Sequence, residues 1–448
     1  MKSLFKQRGT QFLILTFSLL ILTSCSVTKQ ISQSAKADVL DAKALQTAHV
    51  GISIFDPSAN KYLYNYQGDK YFVPASNIKI PTCYAAMKYL GDSLVTFLSL
   101  EKDDTLYIYP TGDPTLLNSE FPEQQAFNYL KKTEKVIDIF IGDNLKLEEY
   151  GNGWSWNDYL EPYMTERSTM PVYGNLVTFE LKESRLTTTP SVQARPYMDE
   201  PMIQLLGMGN KFMVTRSKEA NKFTFNKSDQ TFERKQIPFK TLKGITNYQF
   251  LKDTLNKLEN KVIPSFFNLK RKFEKKIYSQ PTDSLLKPMM HRSDNFFAEQ
   301  SLLMVSNEVL GVMNDAKIID TILKTDFKDL PQKPRWVDGS GLSRYNLFTP
   351  QDLVAILNKM KNEFSMERIK VILPTGGEGT ISNYYKADSG YIYAKTGTLS
   401  GVVAFSGFLY TKKGKLLIFS TLVNNHQATS TEVRKAMEKF LQGIRNKY

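Results

Sequence analysis

From Gly390 onward the sequence leaves little choice of structure. Three apolar runs follow one another, Gly390–Thr396, Val402–Tyr410 and Leu416–Val423, the last two joined by Lys-Lys-Gly-Lys. Short β-patterned runs separated by turn residues read as an antiparallel meander. Thr429 with Glu432 three positions later then caps a closing helix. Its apolar face is Val433, Met437, Phe440, Leu441 and Ile444. The chain therefore ends in strands followed by an amphipathic helix.

The other end of the chain has a matching texture. His49 to Tyr66, with a Pro-Ser-Ala-Asn turn in its middle, reads as a hairpin. An apolar helix follows over Cys83–Leu90 and stops at Gly91. Helical patterning returns after Pro281. Asp294–Leu310 is apolar-periodic with Ser293 placed as its N-cap, and Thr349-Pro350-Gln351-Asp352 opens a helix to about Asn362. Between Ser99 and Gln280 the pattern is instead a series of short β-runs: Thr105–Tyr109, Val136–Ile141, Leu176–Leu181, Lys211–Val214 and Lys222–Phe225. The expected fold is α+β. Residues 41–98 and 281–448 form one discontinuous domain, an antiparallel sheet with flanking helices, and 99–280 form a β-rich insert of one or two small domains.

The N-terminus carries a targeting pattern. Lys2, Lys6 and Arg8 precede the apolar run Phe12–Leu22, too short to span a bilayer but suited to a secretory signal. It ends in Leu22-Thr23-Ser24-Cys25, which resembles the lipobox of bacterial lipoproteins. That resemblance implies a signal peptide over 1–24, lipidation of Cys25, and a polar tether over 25–40. Cys83 is the one other cysteine, so a lipidated chain has no internal disulfide to lean on. The net charge of +13 suits an anionic envelope or polyanion. No nucleic-acid module accompanies it, and the cluster Lys270, Arg271, Lys272, Lys275, Lys276 reads as a solvated helix face.

Chemistry based on metal or histidine is disfavoured by composition. There are three histidines, His49, His291 and His426, without ligand spacing, and no Gly-x-Ser-x-Gly elbow. A lysine can instead activate a serine if its own proton is driven off. Ser76 with Lys79 has the needed spacing on one helical turn. The same spacing starts at Ser3, Ser26, Ser58, Ser99 and Ser284, so alone it selects nothing. Pro81, two residues past Lys79, implies either an irregular turn at Ser76 or a kinked helix. What singles out Ser76 is the order Ser76-x-x-Lys79, Ser293-x-Asn295, Lys395-Thr396-Gly397.

These three motifs resemble the penicillin-interacting serine enzymes, the β-lactamases and D,D-peptidases. Pro74–Lys79, Gly112–Leu116, Arg292–Asn295 with Ala298-Glu299, Asp338–Arg344, Leu373-Pro374 with Gly379-Thr380, and Lys395–Thr398 are similar to the D-alanyl-D-alanine carboxypeptidase/endopeptidase family of the penicillin-binding protein 4 type. The resemblance implies a β-lactamase/transpeptidase-like catalytic domain carrying the insert, and no cofactor. In that family pattern Ser76 is the nucleophile, Lys79 its base with a pKa lowered by burial and by Lys395, and Ser293 the proton relay to the leaving amine. Asn295 holds the substrate amide. The N–H groups of Ser76 and Thr398 form the oxyanion hole, and Lys395, Thr396, Gly397 and Thr398 line the carboxylate end. The implied partners are peptidoglycan stem peptides as substrates and β-lactams as acylating inhibitors. The implied location is the periplasmic side of the envelope, through a lipid anchor. A class A β-lactamase is disfavoured by the insert, and because no glutamate from Glu299 to Glu378 has Asn four residues on. A wall-binding lipoprotein without activity is disfavoured by the complete motif set.

Overall fold

The computed structural model describes residues 28–183, 185–192, 202–228, 232–258, 261–266, 272–273 and 275–448. The expected signal segment and Cys25 lie outside the described residues. By contact density the chain forms two compact units: one of the residues up to Asn77 with Leu330–Arg335 and Leu347–Tyr448, the other of Ile78–Asp329 and Trp336–Asn346.

The first unit is built on a five-stranded antiparallel sheet. Its order is Ile392–Leu399, Val402–Tyr410, Leu416–Asn424, His49–Asp56, Lys61–Tyr66. The predicted meander and hairpin are thus joined through Leu416–Asn424, where Val50 stands opposite Val423 and Phe405 opposite Thr421. Side chains alternate across a strand. Val50, Ile52 and Ile54 share a core with Phe440, Leu441 and Ile444 of the closing helix Ser430–Lys447. On the opposite face, a side chain at Gly51 would run into Phe72 and Pro350. Helix Pro350–Glu363 covers that side, opened by Thr349 with its capping box to Asp352. With both faces covered, strand Val402–Tyr410 is buried along nearly its whole length.

The polar segment expected to be a tether is ordered where it is described. It is helical from Thr28, and Ile31, Ala35 and Val39 are buried in the same core. Those three positions recur every four residues, which makes one stripe on a helix. Composition alone hid that stripe.

The second unit holds the β-rich region. A mixed five-stranded sheet runs Val262–Ser265, Val136–Phe140, Thr105–Pro110, Ser93–Lys102, Lys275–Pro281. Among the described residues two three-stranded sheets accompany it, one of them Phe232–Pro238, Leu176–Lys182, Arg185–Thr189. Short helices Gln125–Lys132 and Ile245–Leu255 are added within a region that reads as β throughout. The expected insert edges fall inside strands Ser93–Lys102 and Lys275–Pro281, which pair antiparallel with Ser99 opposite Lys275. The chain therefore leaves and returns on neighbouring strands. Lys275 and Lys276 begin a strand rather than ornament a helix face, and Lys276 pairs with Glu308 at 2.9 Å. Helices Lys79–Tyr89 and Asn295–Leu310 pack together and group with this unit, so the contact division differs from the expected grouping of 41–98 with 281–448.

Candidate active site

A tight turn carries the first motif. Ala75–Ile78 is a single 3₁₀ turn, and the α-helix begins at Lys79. Pro81 is consequently the third helical residue, where the backbone N–H has no intrahelical partner to lose. The irregular-turn alternative is the one realised, without a kink. Ala75 has φ of +46°, an unfavourable backbone state for a residue with a side chain. Such strain persists where the surroundings enforce it. Here Asn424 does so by gripping Val73 twice: its Oδ1 accepts from Val73 N at 2.7 Å and its Nδ2 donates to Val73 O at 3.0 Å.

The Lys395–Thr398 strand passes directly over that turn. Asn77 is fully buried, and its Nδ2 donates to Lys395 O at 2.9 Å. A Cβ at Gly397 would lie 2.7 Å from Pro74 O and 2.9 Å from Ser76 N. Glycine is therefore required for the strand to lie against the Ser76 backbone. Lys395 is buried and donates to Thr396 O at 2.8 Å, while Thr396 Oγ1 donates to Thr380 Oγ1 at 2.7 Å. Thr398 is exposed and accepts from Arg434 Nη2 at 2.6 Å. Arg434 and Asn424 were not found by sequence reasoning, and no short-range motif marks them.

In the second unit Lys79 is entirely buried, with its amine donating to Asn295 Oδ1 and to Ser340 O, each at 2.7 Å. Burial lowers its pKa to about 8 from the usual 10.5, while the carboxylates Asp338, Asp294 and Glu299 push the other way. Asn295 opens helix Asn295–Leu310. The N-cap, however, is Asp294, whose side chain accepts from Phe297 N at 2.9 Å, rather than Ser293. A carboxylate suits the positive helix N-terminus. Ser293 stands one residue outside, half-buried, with φ of +65°. Capping of this helix therefore falls to Asp294 and not to the Ser293 hydroxyl.

Ser293, Asp294 and Asn295 line one end of a cavity of about 520 Å³. It continues past Tyr163 and Tyr173 to Glu180 and Arg234 on the sheet Phe232–Pro238, Leu176–Lys182, Arg185–Thr189. The Gly112–Leu116 motif is structural by contrast. Asp113 is buried and accepts from Thr96 Oγ1, Ser279 Oγ and Thr115 N, and Gly112 O accepts from Gln300 Nε2 at 2.7 Å. Among the described residues, no group of three or more His, Cys, Asp or Glu side chains could hold a metal ion.

The profile of the D-Ala-D-Ala carboxypeptidase 3 (S13) family matches residues 31–238 and 271–444. The D-alanyl-D-alanine carboxypeptidase DacB of Haemophilus influenzae is 24% identical, over 91% of this chain and 92% of that protein. The D-alanyl-D-alanine carboxypeptidase of Actinomadura sp. (strain R39) is 25% identical, over 87% of this chain and 80% of its own length. The crystal structure of penicillin-binding protein 4 from H. influenzae superposes with a TM-score of 0.70 at 21% identity, covering 92% of this chain and 98% of that one. A second structure of the same protein, complexed with a β-lactam, gives 0.65 at 20% identity, with the same coverage of both chains.

Proposed function

The chain belongs to the D-Ala-D-Ala carboxypeptidase 3 (S13) family, and from that membership we propose that Ser76 attacks the carbonyl between two D-alanines of a peptidoglycan stem peptide and carries the acyl-enzyme. The observation that carries this reading is the state of Lys79. A neutral amine has two hydrogens and one lone pair. Two of the Lys79 hydrogens go to Asn295 Oδ1 and Ser340 O, and in the neutral form the lone pair can receive the proton of Ser76, three residues back in the sequence. A pKa of about 8 makes the neutral form accessible near neutral pH.

The remaining steps follow from charge. The tetrahedral oxyanion is held by the N–H groups of Ser76 and Thr398, whose backbones the glycine at 397 lets approach. Ser293 passes a proton to the departing amine, and the acyl-enzyme is then hydrolysed by water. Lys395, Thr396 and Thr398 receive the terminal carboxylate. We add Arg434 to that set, because its guanidinium already donates to Thr398 Oγ1 and guanidinium matches a carboxylate in shape and charge. The cavity beside Ser293 exceeds the needs of a single departing D-alanine, which supports cleavage of D-Ala cross-links as well. A β-lactam presents the same acyl group and would acylate Ser76. Residues 41–98 and 281–448 act in this proposal as one catalytic domain, with 99–280 as its insert.

The Leu22–Cys25 pattern supports export and a lipid anchor on the periplasmic side of the envelope. Metabolic labelling with palmitate should mark the parent chain and not Cys25→Ser; equal labelling of both would remove the anchor from the account. For the activity itself, purified protein should release D-alanine from a D-Ala-D-Ala pentapeptide and split a cross-linked dimer. Rapid turnover of penicillin instead would indicate a β-lactamase. Neither D-alanine release nor adduct would indicate a wall-binding protein without catalysis.

A further inference from the structure

The loop Asp338–Gly341 enters the steps above only through the Ser340 carbonyl, which meets Lys79 directly. Two consecutive peptide units of this loop are held at both ends. In the first, Gly339 O accepts from Thr82 Oγ1 at 2.7 Å and Ser340 N donates to Glu299 Oε1 at 2.8 Å. In the second, Ser340 O accepts from Lys79 Nζ at 2.7 Å and Gly341 N donates to Asp338 Oδ1 at 2.9 Å. Each unit thus turns its carbonyl to helix Lys79–Tyr89 and its N–H to a buried carboxylate. Lys79 and Thr82 are three residues apart, on one face of that helix.

The carboxylates are themselves fixed. Asp338 also accepts from Asn346 Nδ2 at 2.7 Å, Ser343 N at 2.7 Å and Trp154 Nε1 at 3.0 Å. Glu299 lies 3.5 Å from the buried Arg167, which pairs with Asp315 at 2.5 Å and donates to Glu148 O and Tyr150 O. The loop sits hard on the Asn295 helix: a Cβ at Gly339 would lie 2.8 Å from Ala298 O, with Glu299 Cα at 3.2 Å. Gly341 has φ of +84°, a conformation favouring glycine.

We infer that Glu299 and Asp338 are positioning residues for the base: through these two peptide units they fix the Ser340 carbonyl, and with it the direction of the Lys79 lone pair. A carboxylate at each N–H also polarises the amide, which strengthens the carbonyl as an acceptor. The two carboxylates have a second effect that works against the first. Their charge favours the protonated amine, partly undoing what burial achieves. Glu299 is itself raised to about 7, by burial first and then by Asp338, while Arg167 and the Ser340 side chain pull it back. Position and charge can therefore be separated by substitution.

This inference rests on Lys79 being the acylation base, and the test separates the two. Acylation of the parent by penicillin tests the base reading; the variants test the clamp. Glu299→Gln keeps an acceptor for Ser340 N and removes the charge, so acylation should persist while the acid limb of its pH profile moves to lower pH. Glu299→Ala loses the hold and should acylate more than about tenfold more slowly at every pH, by the loss of one or more hydrogen bonds. Thr82→Val, nearly isosteric, removes the donor to Gly339 O from the helix side. It should slow acylation about tenfold, and Thr82→Ser should restore the rate. A purely structural role would lower the melting temperature and leave the pH profile in place. Where Glu299→Ala does not fold, the Thr82 pair decides. Parent rates in Thr82→Val, or a Glu299→Gln profile coincident with the parent's, would overturn the inference.

Discussion

Single side chains carry the proposed mechanism, and Lys79 is the most informative of them. Its pKa of about 8 comes from burial, which penalises the charged amine. Below that value the amine is protonated and cannot take the Ser76 proton; above it the neutral base predominates. The second-order rate of acylation by penicillin should therefore climb with pH through about 8 and then level. A rate that is flat or falling across that range would contradict the assignment. Arg434 is the second residue to probe. Its removal should raise KM for a pentapeptide with a free terminal carboxylate and leave a C-terminal amide unaffected. An equal effect on both substrates would assign it to the fold alone. The contrast between Ser293 and Asp294 carries a related lesson. Serine is a good cap by residue type, but an adjacent aspartate serves the helix dipole better, and the serine proposed as proton relay stands outside the helix.

Elements differ in how much of themselves they display in the sequence. The strand Val402–Tyr410 and the helices opened by Thr349 and Thr429 were legible because their signals are local: apolar runs, capping boxes, a proline at the first helical position. The helix beginning at Thr28 was not, because its buried stripe is diluted by polar residues that composition registers first. Helices Gln125–Lys132 and Ile245–Leu255 were hidden by aromatic and β-branched residues that tertiary packing overrides. At the site, Ser76, Lys79, Ser293, Asn295 and Lys395–Thr398 carry motif signals. Asn77, Asn424, Arg434 and Thr82 act through contacts between distant segments, or one turn along a helix, that no spacing reveals. Two substitutions separate scaffold from chemistry. Thr349→Ala removes a buried cap that also donates to Gln332; it should cost about 1–2 kcal/mol in denaturant titration and leave acylation unchanged. Gly397→Ala forces a methyl group against Pro74 O and Ser76 N; it should slow acylation by on the order of a hundredfold, the scale of a lost oxyanion donor. Acylation that survived Gly397→Ala intact would mean the strand does not shape the oxyanion hole.

For the whole molecule, the order of the chain explains why the site is spread so far along the sequence. The terminal segments build one five-stranded sheet, which carries the Lys395 strand over the Ser76 turn. The long middle region leaves and returns on paired strands of the second unit's own five-stranded sheet. Lys79, Asn295 and Ser340 come from three separate stretches and are fixed together by hydrogen bonds of 2.7 Å. The central claim is that this arrangement makes Ser76, among all the serines with a lysine three residues on, the acylated nucleophile. Mass spectrometry of the protein after incubation with penicillin tests it most directly. The account predicts one penicilloyl group, located to the peptide containing Ser76 and absent from Ser76→Ala. An adduct that survives in Ser76→Ala, or one found on a different serine, would contradict it.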